Sequence, residues 1–279
     1  MKKYLKHENF NKDFKDGIYK NGVETLNLYT WEKFHRVVKI FNGYEYYIWR
    51  GQRKEWKLKS TFDRYNKFSK EKDRKKELDK ILDNFKKRLK NLPNTNNINF
   101  KKENEIWAIG QHYNLKTPLL DWTEIPYFAA YFAFYKKNDK NETEDRVVYA
   151  LNRDLGRSLL KLKDPKTKEV LSIVRKIEFV MSHFAPEHHQ RLINQKGAFT
   201  RAYKGDDIKS ILQDFWEGNY KKNKFTTEVI LAEILIPNKF CDECLSSLKS
   251  MNITHGTLFP DYAGAVEICK IDLGLDNLK

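Results

Sequence analysis

Cysteine is scarce, with three residues in a chain of 279. So few, and an odd number, argue against a disulfide framework and imply a reducing, cytoplasmic setting. Long hydrophobic runs are missing too. The longest, Ile125 to Phe134, is about half of what a membrane-spanning helix requires. The opening residues Met1 to Glu8 hold no apolar core of a signal peptide, so no membrane partner is expected. No G-x-x-x-x-G-K-[ST] loop and no glycine-rich dinucleotide fingerprint occurs, which argues against an ATPase or a Rossmann enzyme. Internal repeats are absent as well.

What the chain does have is positive charge. Lys and Arg number 53 against 38 Asp and Glu, a net +15. Such a field draws polyanions: RNA, DNA, anionic lipid or an acidic partner protein. The plain alternative is an AT-rich coding bias toward Lys, Asn and Ile. A hydrophobic share of 40% and an aromatic share of 14% suffice for a substantial core.

Periodicity organises the rest. Residues 1–43 read as a helical N-terminal extension, with Thr30 capping a helix that carries Trp31, Phe34, Val37, Val38 and Phe41 on one face. Tyr44 to Arg50 reads as a strand ended by Gly51. Residues 67–92 read as one charged helix in which cations outnumber acids. It is either a solvated face or, over 67–90, an electrostatic ramp for nucleic acid. A helix over 102–113 delivers His112 at its end. Asp121 or Thr123 then caps a helix over 124–136, with Pro126 in its first turn. Strands are expected at 146–151, 228–236 and 265–271, and helices at 154–163, 169–184 and 239–250. This interspersion predicts an α+β fold, a mixed and mainly antiparallel sheet flanked by helices.

Three segments carry chemistry. Arg50, beside Gly51 and Gln52, offers a bidentate fork for phosphate or carboxylate, and the glycine would let a ligand approach the backbone. His112 can exchange a proton near neutral pH, with Tyr113, Thr117, Asp121, Trp122 and Thr123 close behind it. Each has a plainer role: Arg50 paired with a core carboxylate such as Asp121, His112 on helix carbonyls, Asp121 as a cap, Trp122 in the core. Arg191 and Gln195 form a polar rim. Glu228 and Glu233 lie five apart on one strand, so only one faces any given cleft. No metal is expected. His188 and His189 point to different faces, and Cys241-x-x-Cys244 with Cys269 lacks a second ligand pair, leaving structural cysteines.

Five ordered blocks carry a family resemblance: Trp49-Arg50-Gly51-Gln52; Gln111-His112-Tyr113 through Leu119-Leu120-Asp121-Trp122-Thr123; Ala129-Ala130-Tyr131-Phe132-Ala133; Gln195-Lys196-Gly197-Ala198-Phe199; and Thr257-Leu258-Phe259-Pro260-Asp261. Together they resemble the FRG domain, named for a Phe-Arg-Gly motif, across roughly residues 44–270. Residues 44–279 are accordingly read as an FRG-like domain. Trp49 stands for the family's Phe, Asn114 for a Gly that a left-handed turn tolerates, and Pro118 for an Arg whose contact Lys116 would have to supply.

The resemblance implies a cytoplasmic bacterial protein of phage-defence or toxin type, with a phage protein as trigger or an antitoxin as partner. By fold-level analogy the pattern also resembles ADP-ribosyltransferases. That analogy implies NAD as cofactor, Arg50 fixing the dinucleotide, Tyr113 or Trp122 stacking on nicotinamide, and Glu228 or Glu233 holding the ribose and nucleophile. The expected activity is transfer of ADP-ribose to a macromolecule. The alternatives are a nuclease-like enzyme using His112 with Asp121, or a non-catalytic module binding nucleic acid or a phage protein.

Overall fold

The computed structural model describes residues 4–44, 46–65, 68, 70–93, 95, 97–136, 144–154, 177–181, 190–223 and 227–273. Its centre is one eight-stranded sheet. The strands are β1 (Ile18–Lys20), β2 (Val23–Asn27), β3 (Tyr47–Gln52), β4 (Leu119–Thr123), β5 (Arg146–Asn152), β6 (Ile177–Met181), β7 (Gly197–Ala202) and β8 (Leu231–Ile236). They lie in the order β1-β2-β8-β5-β3-β4-β7-β6, antiparallel throughout except that β2 runs parallel to β8. The expected α+β class with a mixed, mainly antiparallel sheet is therefore observed.

Alternation along the strands sorts side chains to the two faces. Tyr47 and Trp49 join one core with α1 (Trp31–Phe41) and α5 (Pro126–Phe134). Ile48, Leu120, Trp122, Val147 and Tyr149 join a second core beneath α7 (Ile208–Asn223). A third core sits under α3 (Glu71–Leu89) and α4 (Glu103–His112), which close over Leu119, Val180 and Phe199. Helix α3 buries Leu78, Leu82, Leu89 and Arg74, the last paired with Asp63, and leaves most of its other charges outside. The short α2 (Thr61–Tyr65) precedes it. Helix α6 (Gln190–Asn194) leads into β7, while α8 (Cys241–Ser250), α9 (His255–Leu258) and α10 (Tyr262–Asp272) follow β8.

Several expectations need correction. The first 43 residues are not wholly helical: the α1 helix stands, capped by Thr30 on the Lys33 amide, but β1 and β2 precede it. A left-handed Asn21 followed by Gly22 turns that hairpin, a tight-turn signal that the helical reading passed over. Asp121 and Thr123 do not cap α5 from a preceding loop, because Leu119–Thr123 is itself a strand. Its alternation, Leu120 and Trp122 to one core with Asp121 facing out, is a period of two that the polar residues obscured.

Residues 177–181 form β6 rather than helix, paired with β7. The expected strand at 265–271 is helix α10, started by Asp261, whose carboxylate accepts the Gly264 amide at 2.9 Å. The helix expected over 154–163 falls, beyond Asp154, outside the described residues, as do His188 and His189. None of the three cysteines forms a disulfide; Cys244 is buried and Cys241 packs against the first core, while Cys269 is exposed and is not the structural cysteine expected. Among the described residues no cluster of metal-ligating side chains occurs, and no helix is long and apolar enough to cross a membrane.

Candidate functional site

The two central strands part company where the site forms. β3 and β4 register at Trp49 opposite Thr123, and beyond that pair they separate. Asp121 still pairs with Phe199 of β7 on its far side, but its carbonyl on the β3 side needs another partner. Arg50 supplies it, Nη1 donating to Asp121 O at 2.8 Å. The same Nη1 lies 3.9 Å from the Asp121 carboxylate. With the Gln52 amide oriented by its partners, its oxygen accepts from Arg50 Nε at 3.1 Å and its nitrogen donates to Trp56 O at 3.0 Å. Two of the three guanidinium nitrogens are thus held. Among the described residues nothing bonds to Nη2, which remains available to a ligand.

Above this gap lies a cleft of about 400 Å³. It is lined by Arg50, Gln111, His112, Asp121, Arg191 and Gln195, with Trp49, Phe132, Tyr135, Phe199 and Phe259 as apolar wall. Size and mixture suit a small-molecule site, an apolar pocket with a few fixed polar groups. Arg50, distant in sequence, therefore shares one cleft with His112 and Asp121.

Asp121 is oriented through a relay. The Thr117 hydroxyl, fully buried, donates to the Gln111 amide oxygen, and Gln111 Nε2 donates to Asp121 Oδ1 at 2.5 Å. The Asp121 carboxylate is 61% exposed yet fixed in direction by an amide and a guanidinium, a suitable state for a group that must meet substrate. Thr117 thus serves as a buried anchor, not as a contact to substrate. Asn114 turns the chain between α4 and β4 at φ 64°, the left-handed conformation its position required.

Electrostatics separate the titratable groups. Burial pulls the Arg50 guanidinium down to about 10, against the opposing pull of Asp121, so it stays protonated at neutral pH. Burial and the neighbouring Arg191 hold His112 below its ordinary 6.5, with Asp261 opposing. His112 is consequently a neutral proton acceptor at pH 7. Its charged neighbours are Arg191 and Asp261, not Asp121. Arg191 forms a bidentate pair with Asp261 at 2.5 and 2.7 Å, which holds that carboxyl below the ordinary range. One consequence is measurable. The unfolded chain binds protons at His112 more readily than the fold does, so stability falls as pH drops below 6.5. His112→Gln is expected to melt with a shallower pH dependence between about pH 7 and pH 5. Equal slopes in both proteins would remove this account of His112.

Of the remaining expected site residues, Trp122 and Gln195 also line the cleft, while the others have other work. Glu228 lies outside the cleft, bridging the chain near Lys6, whose Nζ is 3.6 Å from its carboxylate. Glu233 is buried against Lys209 at 2.6 Å. Neither glutamate lines the cleft: Glu228 precedes β8, and Glu233 stands two strands from Arg50, with Tyr149 of β5 between them. Gln52 holds Arg50 rather than a ligand. Trp122 is buried, donating Nε1 to the Thr200 hydroxyl at 2.8 Å, and Thr123 donates to the Gln195 carbonyl at 2.6 Å. Gln195 Nε2 in turn donates to Leu258 O at 3.1 Å. Tyr113 is 74% exposed, its ring edge-on to His112. Lys116 does not replace the missing Arg in the cleft; its Nζ sits 3.9 Å from the centre of the Tyr65 ring. Gly51 lines the cleft and also accommodates α5, since a Cβ there would lie 1.8 Å from Ala129 O.

Gln111 and Asp261 are the polar residues that sequence reasoning left without roles. Both stood inside blocks already singled out. Asp261 was legible as a helix cap, followed as it is by Gly264 and an apolar helical run.

Fold and cleft define an α+β protein with a concave, arginine-bearing site where two strands diverge. Residues 45–142 match the family model of the FRG domain. No curated protein and no solved structure matches the chain significantly. The matched segment holds Arg50, Gln111, His112 and Asp121, while Arg191, Gln195 and Asp261 lie beyond it.

Proposed function

We propose that the cleft binds a nucleotide and that the chain transfers ADP-ribose from NAD to a macromolecule. The observation that carries this reading is the adjacency of Arg50 and Asp121 at an aromatic-walled cleft. Arg50 Nη2 is placed to bind a phosphate oxygen, and the rings of Phe132, Tyr135 and Phe259 suit a nicotinamide or adenine face. Asp121, rather than Glu228 or Glu233, takes the part of the carboxylate. NAD supplies a glycosidic bond whose leaving group is neutral nicotinamide. Asp121 faces the ribose carbon as that C–N bond breaks and a bond to the acceptor's oxygen or nitrogen forms. The acceptor's proton passes to Asp121 or to neutral His112. An effector of this kind fits a toxin-type role in phage defence, held in check by an antitoxin or released by a phage protein.

The test is incubation of the pure chain with NAD labelled in its adenylate half, in a bacterial lysate. Label is expected on a macromolecule, with free nicotinamide released in equal amount. Glu228→Gln should transfer within about twofold of wild type, as expected for a residue outside the reacting groups. The absence of both NAD loss and label transfer would overturn the proposal.

One observation favours a second reading. A neutral His112 in the same cleft as Arg50 suits a nuclease-like enzyme, with His112 as base and Arg50 on the phosphate. Cleavage of RNA or DNA without NAD, lost in His112→Ala, would establish it in place of transfer. Intact strands after long incubation would dismiss it.

A further inference from the structure

Beside the cleft lies a surface that nothing in the reaction itself uses. Thr61 of α2 lines the cleft, and so do Asn114 and Leu115 of the turn after α4. On the outer side of these residues stand Arg64, Tyr65, Tyr113 and Lys116, all exposed to solvent. Tyr65 is 67% and Tyr113 74% exposed. They are not a scatter of unrelated side chains. Lys116 lies over the Tyr65 ring, which ties the turn to α2. Arg64 donates to the Thr61 hydroxyl at 3.2 Å and is close enough to Arg50 to depress its affinity for a proton. The acid of α2, Asp63, is taken up by Arg74 in a buried bidentate pair. The rim is therefore cationic and aromatic, and it leads directly to Arg50.

Two exposed tyrosine rings, one of them partly covered by Lys116 and both interleaved with an Arg and a Lys, match the chemistry of unpaired bases on a phosphate backbone. Each base offers a π-face to a tyrosine, and the phosphates take the cations. A duplex hides its base faces in the stack and cannot use the tyrosines. An acidic protein would use the cations but would gain little from two exposed tyrosine rings.

We infer that this rim binds single-stranded nucleic acid and presents it to the cleft as the acceptor. The presentation step rests on the transferase reading; the binding does not. In contrast with a ramp along the basic helix α3, the contact is local to the cleft mouth.

The experiment is fluorescence anisotropy of short labelled single-stranded DNA and RNA with the full chain, without NAD. Wild type is expected to bind both with a strong salt dependence, and the matching duplexes more weakly. Tyr65→Ala and Tyr113→Ala should each weaken binding about tenfold, and Lys116→Gln should reduce the salt slope. Lys75→Gln with Lys76→Gln on α3 should change binding less than about twofold. All these side chains are exposed, and unchanged melting temperatures will show that folding is intact. Rim variants that bind like wild type, a duplex bound as tightly as the single strand, or no binding at all would each overturn the inference. Transfer of label to protein alone, with no single-strand binding, would sink the rim and leave the transferase standing. Binding without any transfer would do the reverse.

Discussion

Arg50→Ala is expected to cost about 100-fold or more in transfer, the scale seen when one preorganised donor is taken from a reacting centre. Three things fail together. The proposed ligand loses Nη2, unbonded among the described residues, the Asp121 carbonyl loses its partner across the strand gap, and Gln52 loses the group it holds. Arg50→Lys should recover little. A lysine ammonium keeps the charge but cannot bond Gln52, Asp121 O and a phosphate in one plane. The lost bonds to Asp121 O and Gln52 should cost stability of about 1–3 kcal/mol without preventing folding. The measurement is transfer rate together with thermal melting. A variant that melts near wild type yet transfers at undiminished rate would remove Arg50 from the site.

Gly51→Ala, one residue away, should fail in the opposite manner. An added Cβ would lie 1.8 Å from Ala129 O and 2.6 Å from Ala133 N, backbone atoms of α5 that no rotamer change can move aside. Ordinary overpacking costs about 1–3 kcal/mol. Here the helix must lift from β3, opening the core that Ala129, Ala130 and Ala133 share with Trp49, so the loss should exceed that range. Insoluble expression, or a melting temperature lowered by well over about 6 °C, is the expected result. A soluble protein melting within about 4 °C of wild type would show that α5 is not held where its contacts place it. The pair of variants separates two adjacent residues of one motif, one serving chemistry and the other packing.

How much of this was legible in the chain depends on how local each signal was. The stripe of Trp31, Phe34, Val37 and Phe41 named its helix, because periodicity and the Thr30 cap agree. Leu119–Thr123 misled because its strand character lies in what flanks Asp121. A carboxylate before a helix looks like a cap until the β7 partner is known. Tyr262–Asp272 misled in the reverse direction, its β-branched residues outweighing the Asp261 cap. Within the site, residue type alone brought Arg50, His112 and Asp121 forward. The choice among acids was not readable. Glu228, Glu233 and Asp121 are chemically alike, and only the strand order shows which one stands beside Arg50. Gln111 was hidden for a related reason, since an amide becomes noticeable only once both of its partners are in place.

The position of β8 has a kinetic consequence. It lies between β5 and β2, so Val23 finds its neighbour in Leu231, almost the length of the chain away. The β1–β2 hairpin emerges early from a ribosome and must wait, one edge bare, until nearly everything else has been synthesised. The relay from Thr117 through Gln111 to Asp121 spans a few neighbouring residues and can form long before that. High contact order at the seam predicts slow closure of the sheet around a site whose local half is already set. Substitutions in β8 should therefore reduce the yield of folded chain more than the activity of those chains that succeed.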